Sequence, residues 1–186
     1  KGNYMVFFPS YRLMEDVYQV YQDEFSVSWV RCISQHASMT ELEREEFLEE
    51  FTEETEETLV GFCVMGGIFS EGIDLIGDRL IGAAVVGTGL PQVNCEREIL
   101  KGYYDEKGEQ GFDYAGMNKV LQAAGRVIRT KEDTGAILLM DERFLNRDYR
   151  NLFPREWNDA CTCTLGNVEK HLQAFWDVSE ENDIIC

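Results

Sequence analysis

Asn3-Tyr4-Met5-Val6-Phe7-Phe8 is the run whose reading decides the fold. It is short, β-prone and almost wholly apolar, so neither side of an extended chain here suits water. A strand of that kind belongs inside a sheet covered on both faces, as in parallel sheets flanked by helices. Pro9-Ser10-Tyr11 breaks the run. Leu13, Val17, Val20 and Tyr21 then recur at helical spacing, predicting a helix that buries this side and ends near Phe25.

Further along, the same alternation repeats. Ser26 to Ile33 returns to strand chemistry, and Thr40 to Phe51 is helical. Thr40 with Glu43 three residues on is a capping box, and Leu42, Phe47, Leu48 and Phe51 supply the expected buried side. Leu59 to Met65 reads as a third buried strand, and Leu80 to Val86 as a fourth. Between them lies the glycine-punctuated stretch 66–75, and after them the loop Gly87 to Pro91. Residues 92–113 suggest a helix around Val93 to Tyr104, followed by a polar turn. Tyr114 to Ile128 is a helix packed through Val120, Leu121 and Ala124, and Gly135 to Met140 is a fifth strand. Strands alternating with helices at this spacing imply parallel pairing and helices on both sheet faces. The expectation is a doubly wound, three-layer α/β domain over residues 1–157. A tail over 158–186 follows, with a helix from Val168 to Val178 docked by Leu172, Phe175 and Trp176.

The chain has 186 residues and a formal net charge of −18. That length suits one domain, and its apolar content suffices for a core without metals or disulfides. No apolar run is long enough to cross a bilayer, and no signal-peptide pattern opens the chain. It begins at Lys1, directly on a strand-like run, and reads as a fragment of a longer polypeptide. Six scattered cysteines, with only Cys161 and Cys163 close, favour free thiols, a cytoplasmic setting and no metal site. Residues 41–57 hold ten Glu against one Arg, half of the net charge, whereas 119–155 carry +3. A chain this acidic does not attract nucleic acid over long range. Any polyanion must be held by a few placed cations, hydroxyls and backbone amides.

Gln122-Ala123-Ala124-Gly125-Arg126-Val127-Ile128-Arg129 is where such cations fall. On a helix, positions 122, 126 and 129 share a face, which lines up an amide and two guanidiniums. Guanidiniums keep their charge and match phosphate geometry in bidentate fashion. The plain alternative is two solvated arginines paired with the many carboxylates. The loops at 9–11, 66–74 and 87–91 should open together at one sheet edge, where open α/β folds bind ligands. Asp74 suits a ribose hydroxyl, while Glu71 serves a site or simply pairs with an arginine. Tyr11 reads equally as a base-stacking platform and as a packing aromatic. No G-x-x-x-x-G-K-[ST] occurs, so the chain has arginines for a phosphoryl group but no cradle of its own. That is the profile of a domain supplying arginine fingers to a site completed elsewhere.

The ordered set FFPSY (7–11), GGIFSEGIDL (66–75), GTGLP (87–91), QAAGRVIR (122–129) and LLMDERF (138–144) resembles the second RecA-like motor domain of XPD/DinG-type superfamily 2 DNA helicases. The resemblance covers about residues 3–157. It implies an ATP-dependent motor that moves 5′ to 3′ on single-stranded DNA. By the same resemblance, Arg126 and Arg129 would reach the γ-phosphate of ATP. That ATP, with its Mg2+, would be bound mainly by a first RecA-like domain of the same polypeptide. Gln122 would line the cleft, and Glu71, Gly72 and Asp74 would sense the nucleotide and couple it to DNA. Ser10, Tyr11 and Gly67 would lie toward the DNA backbone. A fragment without the phosphate-binding loop should be inactive alone. Two other readings are a degenerate motor domain serving as an interaction scaffold, with Glu41 to Glu57 facing a partner, and a flavodoxin-like phosphate-binding enzyme.

Overall fold

The computed structural model describes residues 1–53, 55–70, 75, 77–89, 111–128 and 133–183; side chains at 111–115 and 178–183 are not described. The suggested helix around Val93 to Tyr104 lies outside these residues. Two compact units emerge, Lys1–Leu152 and Phe153–Cys186.

The first unit is built on five parallel strands: β1 (Gly2–Phe8), β2 (Val30–Ser34), β3 (Thr58–Val64), β4 (Gly82–Val86) and β5 (Ala136–Met140), in spatial order β2-β3-β1-β4-β5. β1 is the central strand, paired with β3 on one side and β4 on the other, which explains its lack of a polar face. Helix α1 (Tyr11–Val20) covers one face, where Met14 joins Phe8, Phe62 and Val64, with Val6, Val60 and Cys32 around them. Helix α2 (Glu41–Glu49) serves the opposite face. There a Cβ on Gly61 would come within 2.7 Å of the Phe51 ring and 3.2 Å of Phe47, beside Met5. Only a glycine lets those rings lie directly on β3. Phe47 also stacks on Phe69, with ring centres 4.4 Å apart. Helix α3 (Gly111–Ala124) packs along β4. The three-layer arrangement follows from helices on both faces.

Several local expectations change. Leu13, Val17 and Val20 do not face the core; all are exposed, and α1 buries Met14. The inward face is completed by Tyr11 and Tyr18, whose apolar rings carry polar tips that make them look like surface residues. Tyr18 sets its ring edge-on to Phe62 and donates its hydroxyl to the Cys32 carbonyl at 3.3 Å. Past Val20 the helix widens into a π-helical turn, Tyr21–Phe25, and β2 starts only at Val30. Leu42 is 63% exposed, so Phe47 and Phe51 anchor α2 without it.

The helix expected to run to Ile128 ends at Ala124. Gly125 N still donates to Leu121 O at 2.8 Å, but Arg126 and Val127 shift to tighter bonds with Ala123 and Ala124. Glycine's low helix propensity makes this a natural stopping point. Arg126 therefore sits on the terminal turn, and its relation to Gln122 is not that of regular helical spacing.

The capping box forms as read. Thr40 Oγ1 accepts from Glu43 N at 3.3 Å, and Glu43 Oε2 accepts from Thr40 N at 2.6 Å. These bonds from Thr40, backbone first, hold the Glu43 carboxyl below its ordinary range. At the other end of α2, Arg79 donates to the carbonyls of Phe51 and Leu48. Thr40→Ala is expected to lower stability by about 1 kcal/mol, the usual value of a lost N-cap. A urea midpoint matching the parent would show that the cap contributes nothing here.

The second unit carries the helix α5 (Val168–Asp183), longer than expected at its C-terminal end; the intervening short helix Arg147–Arg150 is α4. Leu172 and Phe175, expected to dock α5, are exposed. Phe175 instead lies edge-on to Trp176 at 4.9 Å.

Candidate functional site

In a parallel sheet the loops after each strand gather at one edge, and here a single side chain splices three of them. Gln35 directly follows β2 and is 1% exposed. Its Oε1 accepts from Val64 N at 2.9 Å, at the end of β3. Its Nε2 donates to the Tyr11 hydroxyl at 2.7 Å, just past β1. A Cβ on Gly67 would come within 3.3 Å of the same Nε2 and 3.0 Å of Val64 O, so a side chain on this turn would crowd the splice. Met65 N donating to Phe8 O at 2.8 Å closes the β1 and β3 ends together.

Ser10, Tyr11 and Gly67 are thus brought to one place. Ser10 is exposed and caps α1, its Oγ accepting from Leu13 N at 3.3 Å. Tyr11 packs its ring against the Phe8–Met14–Phe62–Val64 cluster. Partial burial raises its hydroxyl pKa, with the hydrogen bond to Gln35 working the other way. Gly67 heads a turn whose carbonyl accepts from Ser70 N and Oγ, with Ser70 fully buried. The loop after β4 joins the same edge: Gly87 lies beside both Pro9 and Asp141. Asp141 grips Arg143 through two side-chain bonds of 2.8 and 2.7 Å. Those bonds hold the Asp141 carboxyl below its usual range.

Gln122 and Arg126 lie elsewhere. The chain after α3 descends to the start of the neighbouring strands, where Val127 packs against Gly135 and the Gly135 backbone meets Ile81. That is the amino end of β4 and β5, opposite the Gln35 edge. Gln122 is exposed and Arg126 half-buried, and Arg126 Nε donates to Gln122 O at 3.3 Å. Neither is sealed in the core. Glu71, Gly72, Asp74 and Arg129 lie outside the described residues.

The described candidate residues therefore divide: Ser10, Tyr11 and Gly67 lie at the carboxyl edge and Arg126 toward the amino end of β4 and β5, with Gln122 on α3 between them. Gln35 belongs with the first three, and no sequence motif pointed to it. A lone glutamine after a strand reads as a surface residue; its partners are fixed only by the order β2-β3-β1. A depression of about 540 Å³, lined in part by Tyr18, Tyr21, Arg31 and Cys32, touches none of the candidate residues. Among the described residues no cluster of three or more His, Cys, Asp or Glu could hold a metal ion. Among the same residues no helix is long and apolar enough to cross a membrane.

A five-stranded parallel sheet with helices on both faces defines a three-layer α/β domain, and comparison with known proteins places it more narrowly. Residues 1–160 match the helicase C-terminal domain family, and the chain belongs to it, in the XPD/DinG-type branch of superfamily 2. The "Regulator of telomere elongation helicase 1 homolog" of Drosophila melanogaster is 32% identical over 201 aligned positions, covering 96% of this chain and 20% of that protein. Its counterpart in Culex quinquefasciatus is 29% identical, covering 97% of this chain and 20% of that protein. The "General transcription and DNA repair factor IIH helicase subunit XPD" of Dictyostelium discoideum is 32% identical over half of this chain and 12% of its own. Among solved structures, one titled "XPD_Helicase" matches with a TM-score of 0.58 at 23% identity, covering 81% of this chain and 27% of its own. That likeness supports the RecA-like fold. The chain spans about a fifth of the length of the curated relatives it matches most fully.

Proposed function

We propose that this domain is the C-terminal half of an ATP-dependent DNA helicase motor. Arg126 and Arg129 act as arginine fingers toward ATP, which with its Mg2+ is held by a first RecA-like domain of the same polypeptide. Gln122 lines that cleft, and Glu71, Gly72 and Asp74 couple it to the strand. Ser10, Tyr11 and Gly67 face single-stranded DNA.

The observation that carries this reading is that Arg126 lies toward the opposite end of the sheet from Ser10, Tyr11 and Gly67. Arg126, half-buried at the end of α3, can meet a phosphoryl group offered from outside without unfolding anything. The Gln35-locked loops stand at the far edge, open to a strand. Closure of the cleft on ATP brings fixed positive charge onto a developing phosphoryl charge. Hydrolysis removes the charge that held it shut. Because the two ends belong to one sheet, opening and closing at one end moves the loops at the other.

The test is ATP hydrolysis by the intact protein with and without single-stranded DNA. Turnover is expected to rise with DNA and to be absent from this domain alone. An intact protein that binds neither ATP nor DNA would instead be a scaffold.

A further inference from the structure

Lys119 was assigned no role by any motif, yet α3 places it in a distinctive position. Its methylenes lie between two glycine turns at the carboxyl edge of the sheet. A Cβ on Gly66 would come within 3.3 Å of Lys119 Cε and 3.6 Å of its Nζ. A Cβ on Gly89 would come within 3.3 Å of Lys119 Cβ, and still closer to the Gly116 carbonyl. Both glycines adopt left-handed backbone, with φ of +67° and +69°, which other residues rarely tolerate. The lysine stem is thus seated against bare backbone on both sides. In a chain with 35 acidic and 17 basic residues, its ammonium forms no ion pair among the described residues. In the same loop as Gly89, Thr88 is 1% exposed and its hydroxyl has no partner among the described residues. A seated, half-buried lysine with no ion-pair partner among the described residues is suited to an oxyanion brought from outside.

We propose that Lys119 is a further phosphate contact for single-stranded DNA, at the mouth between the Gly66 and Gly89 turns. This rests on the motor-domain reading. The strand is favoured over a nucleotide by position. Gly66 adjoins Gly67 in the Gln35-locked group, whereas Arg126 lies seven residues further along, about 10 Å toward the other end of the sheet.

The experiment compares the intact protein with its Lys119→Gln and Lys119→Arg variants, using an oligothymidylate as probe. Gln retains much of the stem that fills the groove while removing the charge. Affinity is measured across a salt series, and KM for ATP at saturating DNA. Lys119→Gln is expected to weaken oligothymidylate binding several-fold and to flatten the salt dependence by about 0.7 in log–log slope, the share of one phosphate contact on a single strand. KM for ATP should stay unchanged, and Lys119→Arg should restore the slope. An unchanged affinity and slope would make Lys119 a solvated lysine and overturn the proposal. A raised KM for ATP with DNA binding intact would also overturn it, assigning the cation to nucleotide phosphate. Failure of the unaltered protein to bind the oligonucleotide would instead sink the parent reading itself.

Discussion

Arg126→Ala in the intact protein is expected to lower DNA-stimulated ATP hydrolysis by roughly 10³–10⁵-fold, the range for loss of an arginine finger. The size follows from where the charge appears. In phosphoryl transfer the transition state spreads negative charge over the equatorial oxygens, and a guanidinium held in a water-poor cleft stabilises it far more than water would. Arg126→Lys should recover little, because an ammonium lacks the planar fork that meets two oxygens at once. Stability should change by no more than about 1 kcal/mol, since Arg126 is only partly buried and lies on the terminal turn that follows α3. Steady-state turnover at saturating DNA, read beside a thermal midpoint, separates the two effects. Turnover within a few-fold of the parent, in a folded variant, would remove Arg126 from the chemistry.

How far the sequence could be read depends on where a residue's partners come from. β1 and β3 were legible because a strand buried on both faces leaves little but apolar residues, as Tyr4 to Phe8 and Leu59 to Val64 show. The Thr40–Glu43 cap was legible because both partners lie within four residues. The inward face of α1 was not, because Leu13, Val17 and Val20 carry no polar atom whereas Tyr11 and Tyr18 each carry a hydroxyl. What decides burial there is the Phe62 ring on β3, more than forty residues away, which gives Tyr18 a surface to meet. The end of α3 was misread for a similar reason: apolar spacing continues through Val127, while Gly125 stops the regular ladder. The motif residues of the site were legible as residue types, but not the placing of Arg126 toward the opposite end of the sheet from Ser10, Tyr11 and Gly67. That placing needs the parallel register and the direction of α3 together.

Gln35→Leu is expected to cost about 2–4 kcal/mol of stability, more than any exposed substitution in this domain, because it breaks a buried hydrogen-bonded splice. Leucine nearly fills the space but offers nothing to Val64 N, which is otherwise out of reach of water, or to the Tyr11 hydroxyl. An orphaned buried donor alone costs roughly 1–3 kcal/mol. For a chain of this length the loss corresponds to a fall in thermal midpoint of roughly 4–16 °C. Tyr11→Phe should cost less, since Tyr11 is only partly buried and its ring stays in the core cluster. The decisive quantity is the coupling between them. If the Gln35–Tyr11 bond ties the β1 loop to the β3 loop, Gln35→Leu in a Tyr11→Phe background costs less than in the parent, by at least about 0.5 kcal/mol. Urea denaturation of the parent, both single variants and the double variant measures that difference. Strict additivity would mean that the loops keep their places independently of this bond. DNA affinity across the same four proteins then asks whether the splice also sets the strand-facing surface: with Ser10 and Gly67 unaltered in every one, weaker binding by Gln35→Leu can come only through the position of the loops or of Tyr11.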